Sequence, residues 1–298
     1  MIADIEPEPT DASTARSMSG HATRLRGELI QRARSWAGTV GAPWYESLSG
    51  TAPVMIFEPY QTAAGPRHGN FIDASYLAAL ADVHWAVRLN KPHPRRGALP
   101  PDRGSAAKEL DSCTSSDALL INVMCHPGSG PAVAKVLGAD GPPELGIGGA
   151  VPLRSGSGLV ADRSEIDLGF RGDRGSLSLI VEAKLTERDF TNKERSIVER
   201  YADFAAVFEP AGLRQTADEV GDYQLIRNLL AAHYHGARFV LLYDERRSDL
   251  LERFDHVIAA VRPKSLVARS RAVTWQELSV VGEAELREFL EQKYGIGS

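Results

Sequence analysis

The sequence predicts a mixed α/β protein in which helices cover a central sheet. Residues 164–187 alternate apolar and polar side chains on both sides of a Gly-rich turn, which is the pattern of a β-hairpin. Residues 238–243 (RFVLLY) form a continuous apolar run, which is typical of a buried strand. Segments with the helical spacing of apolar residues lie before and after both, and this order favours a layered α/β sandwich.

Composition sets wide limits on the class of protein. The 298 residues are 43% hydrophobic and 24% charged, which is ordinary for a globular protein of one large or two smaller domains. The net charge of −5 does not by itself indicate nucleic acid, although local basic patches can still bind it. Two cysteines are too few for a disulfide framework, so we expect a cytoplasmic protein. No run approaches the ~18 apolar residues of a membrane span, so no membrane partner is expected.

The elements follow in order from apolar spacing and capping residues. Residues 1–20 are acidic and rich in small residues, so we expect a disordered tail. Asn70 can cap one helix, and Ser115 and Ser116 can cap another. Besides the hairpin, the sequence predicts helices over residues 21–36, 71–88, 117–124, 193–208, 218–233, 249–261 and 283–294, and strands over 54–57, 144–147, 238–243 and 267–274.

The polar residues of the hairpin indicate metal-dependent chemistry. Glu182 and Lys184 share one face of the second strand, and Asp167 lies on the polar face of the first. If the strands pair, the three side chains converge at one end of the sheet. Mg²⁺ prefers oxygen ligands and takes one or two protein carboxylates, which Asp167 and Glu182 can supply. Lys184 can orient a water or stabilise negative charge, so the set suits phosphodiester hydrolysis.

Asp167, followed on the next strand by Glu182-Ala183-Lys184, resembles the signature of the PD-(D/E)XK nuclease superfamily. The resemblance covers residues 108–244. It implies a restriction-endonuclease-like core in a domain of residues 106–298, preceded by a helical N-terminal extension of residues 21–105. It further implies that Asp167 and Glu182 bind Mg²⁺, with Mn²⁺ as a substitute, that Lys184 is the catalytic lysine, and that Gln224 is the glutamine found on the following helix in many branches.

The sequence departs from the family pattern in three places. The residue before the aspartate is Ile166 rather than proline. The opening helix has no glutamate, and Glu109, Glu144 and Glu165 remain alternatives for a further carboxylate. Asn228 stands where an exonuclease branch of the superfamily has a tyrosine, so that branch is not supported.

The Glu-x-Lys motif alone carries little information. A second copy, Glu291-Gln292-Lys293, lies in a helical pattern without an acidic strand before it. The copy in the hairpin has strand periodicity and an acidic partner across the turn. The simplest alternative for its three charged residues is an exposed face with weak ion pairs.

We therefore expect a Mg²⁺-dependent endonuclease of the restriction or defence type that acts on double-stranded DNA. Cutting of both strands would favour a homodimer, although no segment demonstrates an interface. The basic Pro-rich loop of residues 90–104, with Lys91, Arg95 and Arg96, either contacts phosphates or is a solvated connector. One alternative is a catalytically inactive module of the same fold that binds nucleic acid or a protein. Another is a metal-dependent hydrolase of small phosphoesters.

Overall fold

The computed structural model describes residues 11–49, 52–92, 108–139, 150–155, 158–172 and 176–297. In these ranges the chain is a mixed α/β protein, as predicted, and no described helix is long and apolar enough to cross a lipid bilayer. The helices are α1 (Asp11–Val40), α2 (Asp73–Ala81), α3 (Val83–Leu89), α4 (Ser116–Met124), α5 (Gly130–Val136), α6 (Arg195–Val198), α7 (Phe204–Val207), α8 (Tyr223–His235), α9 (Ser248–Ala259), α10 (Lys264–Ala268), α11 (Trp275–Val280) and α12 (Ala284–Tyr294). The strands are β1 (Trp44–Ser49), β2 (Ala52–Phe57), β3 (Pro59–Thr62), β4 (Gly65–His68), β5 (Ala150–Ser155), β6 (Gly158–Glu165), β7 (Leu168–Arg171), β8 (Leu177–Ala183), β9 (Lys193–Glu194), β10 (Glu219–Val220), β11 (Arg238–Tyr243) and β12 (Ser270–Thr274).

A four-stranded sheet in the order β12-β11-β8-β7 forms the centre of the fold. β7 and β8 pair antiparallel and are the predicted hairpin. β11, the predicted buried strand, runs parallel to β8 on its other side, and β12 runs parallel to β11. The predictions of the hairpin and of both later strands are therefore confirmed, with β12 beginning three residues after the predicted start because α10 precedes it.

Both faces of β8 are buried, so the predicted half-buried hairpin with a polar face is wrong. Leu179 and Val181 belong to a hydrophobic cluster that includes α4, here called the α4-side cluster. Ile180 points the other way into a second cluster that includes α8, here called the α8-side cluster. Because side chains alternate along a strand, Glu182 shares the face of Ile180 and lies under α8.

The predicted first strand of the hairpin is broken at Asp167. Ile166 packs in the α8-side cluster, whereas Leu168 and Phe170 pack in the α4-side cluster, so these three do not share one face. The chain bends at Asp167 because β6 ends at Glu165 and β7 begins only at Leu168. Gly169 leaves room for the Ile166 side chain after this bend, since a Cβ there would lie 2.9 Å from Ile166 Cδ1.

The capped helix α4 is confirmed in its position and its cap. The Ser115 side chain accepts a hydrogen bond from the main-chain nitrogen of Ala118 and so satisfies one of the free N–H groups of the first turn. The predictions of α9 and α12 are also confirmed to within about two residues.

The predicted helix over residues 71–88 is instead two helices. Asp82 separates α2 from α3 and caps α3 by accepting hydrogen bonds from the nitrogens of His84 and Trp85. Asn70 is not a cap, because its side chain donates to the carbonyls of Leu110 and Ser112. An internal capping residue thus ends one helix and starts the next.

Two further helix predictions need correction. Residues 193–208 do not form one helix, because β9 pairs with β10 and the rest divides into α6 and α7. Residues 219–220 form β10, so the helix predicted from residue 218 begins only at Tyr223. The strand predicted over residues 144–147 lies outside the described residues.

The N-terminal part packs on the same core as the sheet. Leu25 and Leu29 of α1 belong to the α4-side cluster together with Leu286 and Phe289 of α12. Of β1 to β4, only the strand over residues 54–57 was predicted, and the region is therefore not purely helical. Residues 1–10 of the predicted tail lie outside the described residues, and α1 already begins at Asp11. The domain division near residue 105 stays a prediction, since residues 93–107 are not described.

Candidate active site

The four residues named from the sequence come together at the carboxyl end of β8. Lys184 Nζ lies 2.8 Å from Glu182 Oε1 and 3.1 Å from Gln224 Oε1. The Gln224 side chain donates from Nε2 to Glu182 Oε1 at 2.9 Å. Asp167 Oδ2 accepts a hydrogen bond of 2.7 Å from the main-chain nitrogen of Ala183, which lies between the glutamate and the lysine.

Glu182 is completely buried and is held by donors from α8. Its Oε1 accepts from Lys184 and Gln224, and its Oε2 accepts from Asn228 Nδ2 at 2.7 Å. The Arg227 guanidinium lies 3.9 Å from Oε2. A buried carboxylate is tolerated only with such partners. Sequence reasoning missed Asn228 as a partner, although its spacing of four from Gln224 places both on one helix face.

The start of α8 is tied to the chain that follows β8. The carbonyl of Thr191 accepts from the nitrogen of Tyr223 at 3.0 Å, and the carbonyl of Phe190 accepts from the nitrogen of Gln224 at 3.0 Å. Thr191 has φ +60° and Asp222, the residue before α8, has φ +56°. Both are in the left-handed region, which aspartate tolerates but which is unfavourable for a β-branched residue such as Thr191. The position of Gln224 over Glu182 thus depends on a constrained loop.

A third carboxylate, Asp117 in the first turn of α4, acts on the same site. Burial raises the pKa of Asp167 well above its usual range, and the negative charges of Glu182 and Asp117 raise it further, against the lowering effects of Lys184 and the Ala183 N–H. Burial also raises the pKa of Asp117 to about 6, although its ion-pair partner Arg88 lowers it. In the sequence analysis we looked for a glutamate on this helix and overlooked Asp117. An acidic residue in the first turn of the helix was the signal that could have identified it.

The lysine is an ammonium in this environment. Burial alone would lower the pKa of Lys184, but the carboxylates of Glu182, Glu187 and Asp167 outweigh burial and raise it above its usual value. Its Nζ also lies 5.7 Å from the centroid of the Phe190 ring. A protonated lysine can donate hydrogen bonds and stabilise negative charge, but it cannot accept a proton.

Glu187 fixes the segment after the lysine. Its Oε1 accepts from the Ser116 hydroxyl at 2.5 Å, and its Oε2 accepts from the nitrogen of Leu185 at 2.6 Å. Arg247 donates to the carbonyls of Leu185 and Glu187 at 3.0 and 2.8 Å and forms a buried ion pair with Asp249. These contacts join the end of β8 to α4 and to the start of α9, so the site is built on fixed elements.

The other candidates from the sequence lie elsewhere or outside the described residues. Glu109 forms an ion pair of 2.9 Å with Lys91. The side chain of Glu165 and the whole of Glu144 are not described, nor are Arg95 and Arg96 of the basic loop. The second Glu-x-Lys copy lies on α12, in the helical context expected for it.

The donor set suits a hard cation that needs few protein ligands. Asp167 Oδ1 accepts no hydrogen bond from a described residue, and Glu182 Oε2 accepts only one. Among the described residues, no three Asp, Glu, His or Cys side chains are grouped to form a metal site. Mg²⁺ accepts one or two carboxylates completed by carbonyl oxygens and water, so Asp167 and Glu182 fit Mg²⁺ better than a metal that needs three side chains.

Comparison with known families adds one finding. A family model described as restriction endonuclease associating with ARP matches residues 51–295. The match spans β2 to α12 and includes all the residues of the candidate site. No curated protein and no solved structure matches the chain.

Proposed function

Because the chain belongs to the family described as restriction endonuclease associating with ARP, we propose that it is a metal-dependent endonuclease that acts on double-stranded DNA. The observation that carries the proposal is the convergence of Asp167, Glu182 and Lys184 at the end of the β7–β8 hairpin. The order α4, β7, β8, α8, β11 supports assignment of this region to a restriction-endonuclease-like core. Cutting of both strands needs two such sites, which favours action by two copies of the chain.

In this proposal Asp167 and Glu182 hold Mg²⁺, or Mn²⁺ in its place. Supporting observations are the free Asp167 Oδ1 among the described contacts and the raised pKa of Asp167, which comes from burial and from crowding with the carboxylates of Glu182 and Asp117. A bound cation would relieve this repulsion. When bound, the metal polarises a phosphoryl oxygen and lowers the pKa of a water molecule.

The protein's own side chains supply the rest of the proposed mechanism. The ammonium of Lys184 faces the site and stabilises the negative charge that develops on the phosphoryl oxygens in the transition state. Gln224 orients this ammonium by accepting from Nζ and orients Glu182 by donating to Oε1. Asn228 holds the other carboxylate oxygen, so the site is preorganised before the substrate arrives.

Nicking of supercoiled plasmid in the presence of Mg²⁺ tests the assignment. We expect Asp167→Asn and Lys184→Ala to lower the rate by about 10²-fold or more, since each removes a group that stabilises the transition state. Glu291→Gln in the second Glu-x-Lys copy is the matched control and should cut like the parent protein. Parental rates in both site variants would show that the assignment is wrong.

The same assay separates the candidate third carboxylates. Asp117→Asn should raise the Mg²⁺ concentration needed for half-maximal rate, because Asp117 adds negative charge beside Asp167. Glu109→Gln should leave it unchanged, because Glu109 is engaged with Lys91. The reverse pattern would assign the third carboxylate to Glu109.

One observation favours an inactive module of the same fold. Glu182 has three hydrogen-bond donors within 3 Å, a network that could be purely structural. Calorimetric titration with Mg²⁺ or Mn²⁺ distinguishes the two functions. An active site binds metal in the parent and loses binding in Glu182→Gln, whereas an inactive module shows no binding in either.

A further inference from the structure

A second, basic cleft lies between the end of α5 and the first residues of β11 and β12. Its volume is about 510 Å³, and four cationic side chains line it: Lys135, Arg238, Arg269 and Arg271. No acidic residue is among its described lining residues. We propose that this cleft binds the phosphate group of a nucleotide, either free or within a nucleic-acid strand.

The cleft is separate from the candidate active site. Arg238 is in register with Leu179 of β8, whereas Leu241 is in register with Glu182, which places the two sites about 10 Å apart along the strand direction. They also lie on opposite faces of the sheet. Val240, which lines the cleft, belongs to the α4-side cluster, and Leu241 belongs to the α8-side cluster.

Neutral carbonyl oxygens, rather than carboxylates, hold two of the guanidinium groups of the cleft. The guanidinium of Arg271 donates to the carbonyl of Val136, and Arg269 Nε donates to the carbonyl of Ala237 at 2.7 Å. Neither arginine, nor Lys135, forms an ion pair with a carboxylate in the described part of the chain. Hydrogen bonds to neutral carbonyls hold the guanidinium groups in place and leave their charge available to an anion.

Capping of a helix end explains only part of this arrangement. Arg238 and Arg271 donate to the carbonyls of Gly138 and Val136 at the end of α5, as basic residues near a helix C-terminus often do. Arg269 likewise donates to the carbonyl of Ala232 in the last turn of α8 and to that of Ala237 just after it. Capping therefore accounts for the position of each arginine, but it does not account for the exposed Lys135, whose side chain forms no described hydrogen bond, or for four cations around one open cleft. The volume falls in the range of about 300–1,000 Å³ typical of small-molecule sites, which is enough for a phosphate with its attached sugar.

Two double variants of matched charge test the proposal. Lys135→Glu with Arg271→Glu reverses two exposed charges of the cleft, and Arg24→Glu with Arg287→Glu reverses two exposed charges outside it. Binding of a labelled DNA duplex and of labelled ATP is followed by fluorescence anisotropy in EDTA at low salt. Without divalent metal, the measurement does not depend on the proposed catalytic function.

We expect the cleft variant to weaken binding about tenfold or more relative to the control variant, and to reduce the slope of log K against log salt by about 2 for the duplex. Loss of duplex binding alone identifies a strand phosphate as the ligand, and loss of both probes identifies a nucleotide site.

Arg271 also contacts α5, so the fold of the double variant is checked by thermal unfolding. If the double variant unfolds, Lys135→Glu alone is used, since this exposed side chain has no described partner. The change in log K for probe binding should then be about half that of the double variant. Equal weakening in the cleft and control variants, or failure of both probes to bind the parent, would overturn the proposal.

Discussion

The pKa values of the lysines in the two Glu-x-Lys copies, Lys184 and Lys293, are shifted in opposite directions. Lys184 is surrounded by carboxylates, which raise its pKa. Lys293 is equally buried, but its ammonium lies against aromatic rings, 3.8 Å from the centroid of Tyr294 and 5.6 Å from that of Phe57. Its Nζ has no hydrogen-bond partner among the described residues, and burial lowers its pKa to about 7. The groups that surround a buried lysine therefore decide whether its pKa is raised or lowered.

Lys293 gives a pH dependence of stability. Its folded pKa of about 7 lies below the ordinary 10.5, so the unfolded chain binds the proton more tightly. Below pH 7 the buried charge lowers the free energy of unfolding by its full amount, and this loss disappears as the pH rises from 7 toward 10.5. Lys293→Met should therefore raise the free energy of unfolding at pH 6 by up to about 5 kcal/mol, and by less at pH 8.5.

Denaturant unfolding at both pH values measures this difference. Arg287→Met, at an exposed position of the same helix, is the control and should change stability by less than about 0.5 kcal/mol at either pH. A Lys293→Met variant that is less stable than the parent at pH 6 would mean that the ammonium has a stabilising partner.

At the scale of the element, the helix that carries Gln224 and Asn228 begins under strain. Thr191, with φ +60°, is a β-branched residue in the left-handed region, and its carbonyl receives the first hydrogen bond of α8. Such a conformation costs about 1 kcal/mol or more and persists only where the surrounding structure imposes it. The packing around Thr191 thus holds the start of α8, and with it Gln224 and Asn228, in place against the backbone preference of threonine.

Replacement of Thr191 by glycine should relieve this strain. Because glycine adopts positive φ freely, Thr191→Gly should raise the free energy of unfolding by up to about 1 kcal/mol. The same substitution at Thr39, an exposed position near the end of α1, should instead lower it by about 0.3 kcal/mol, because glycine has a lower helix propensity than threonine. Thermal unfolding of the two variants measures these shifts, and a loss of stability in Thr191→Gly would show that its side chain outweighs the strain.

At the scale of the whole molecule, the N-terminal part and the sheet share one core. Leu25 and Leu29 of α1 are buried with residues of α12, and Glu28 of α1 forms an ion pair of 2.8 Å with Arg246, which follows β11. A fragment of residues 106–298 should therefore expose the apolar surface that α1 to α3 cover and lose cooperative unfolding.

Calorimetry of the fragment and of the full chain tests this expectation. Deletion of residues 1–10 is the control, and it should leave the unfolding transition intact. A fragment of residues 106–298 that unfolds cooperatively at the temperature of the full chain would instead support the predicted domain division near residue 105.

The sequence by itself determined the elements that have a clear period or a local cap. The hairpin, β11 and α4 follow from alternation, a continuous apolar run and a capping serine, all of which act between near neighbours. The same period placed Glu182 and Lys184 on one face, and the resemblance to a nuclease family on these residues agrees with the family that matches residues 51–295.

Only the tertiary structure decided which charged side chains are buried and that the carboxylate of Asp117 lies near Asp167 in the candidate site. Asp117 is distant from Asp167 in sequence, and no local pattern shows that α4 packs against the α4-side face of β8. The break at Asp167 lets Ile166 and Leu168 pack in two different clusters, each built from segments that are distant in sequence. The division of residues 193–208 arises because β9 pairs with β10, and this pairing outweighs the local preference of the chain for a helix. Contacts between segments remote in sequence depend on the packing of the whole core, so a single sequence does not reveal them.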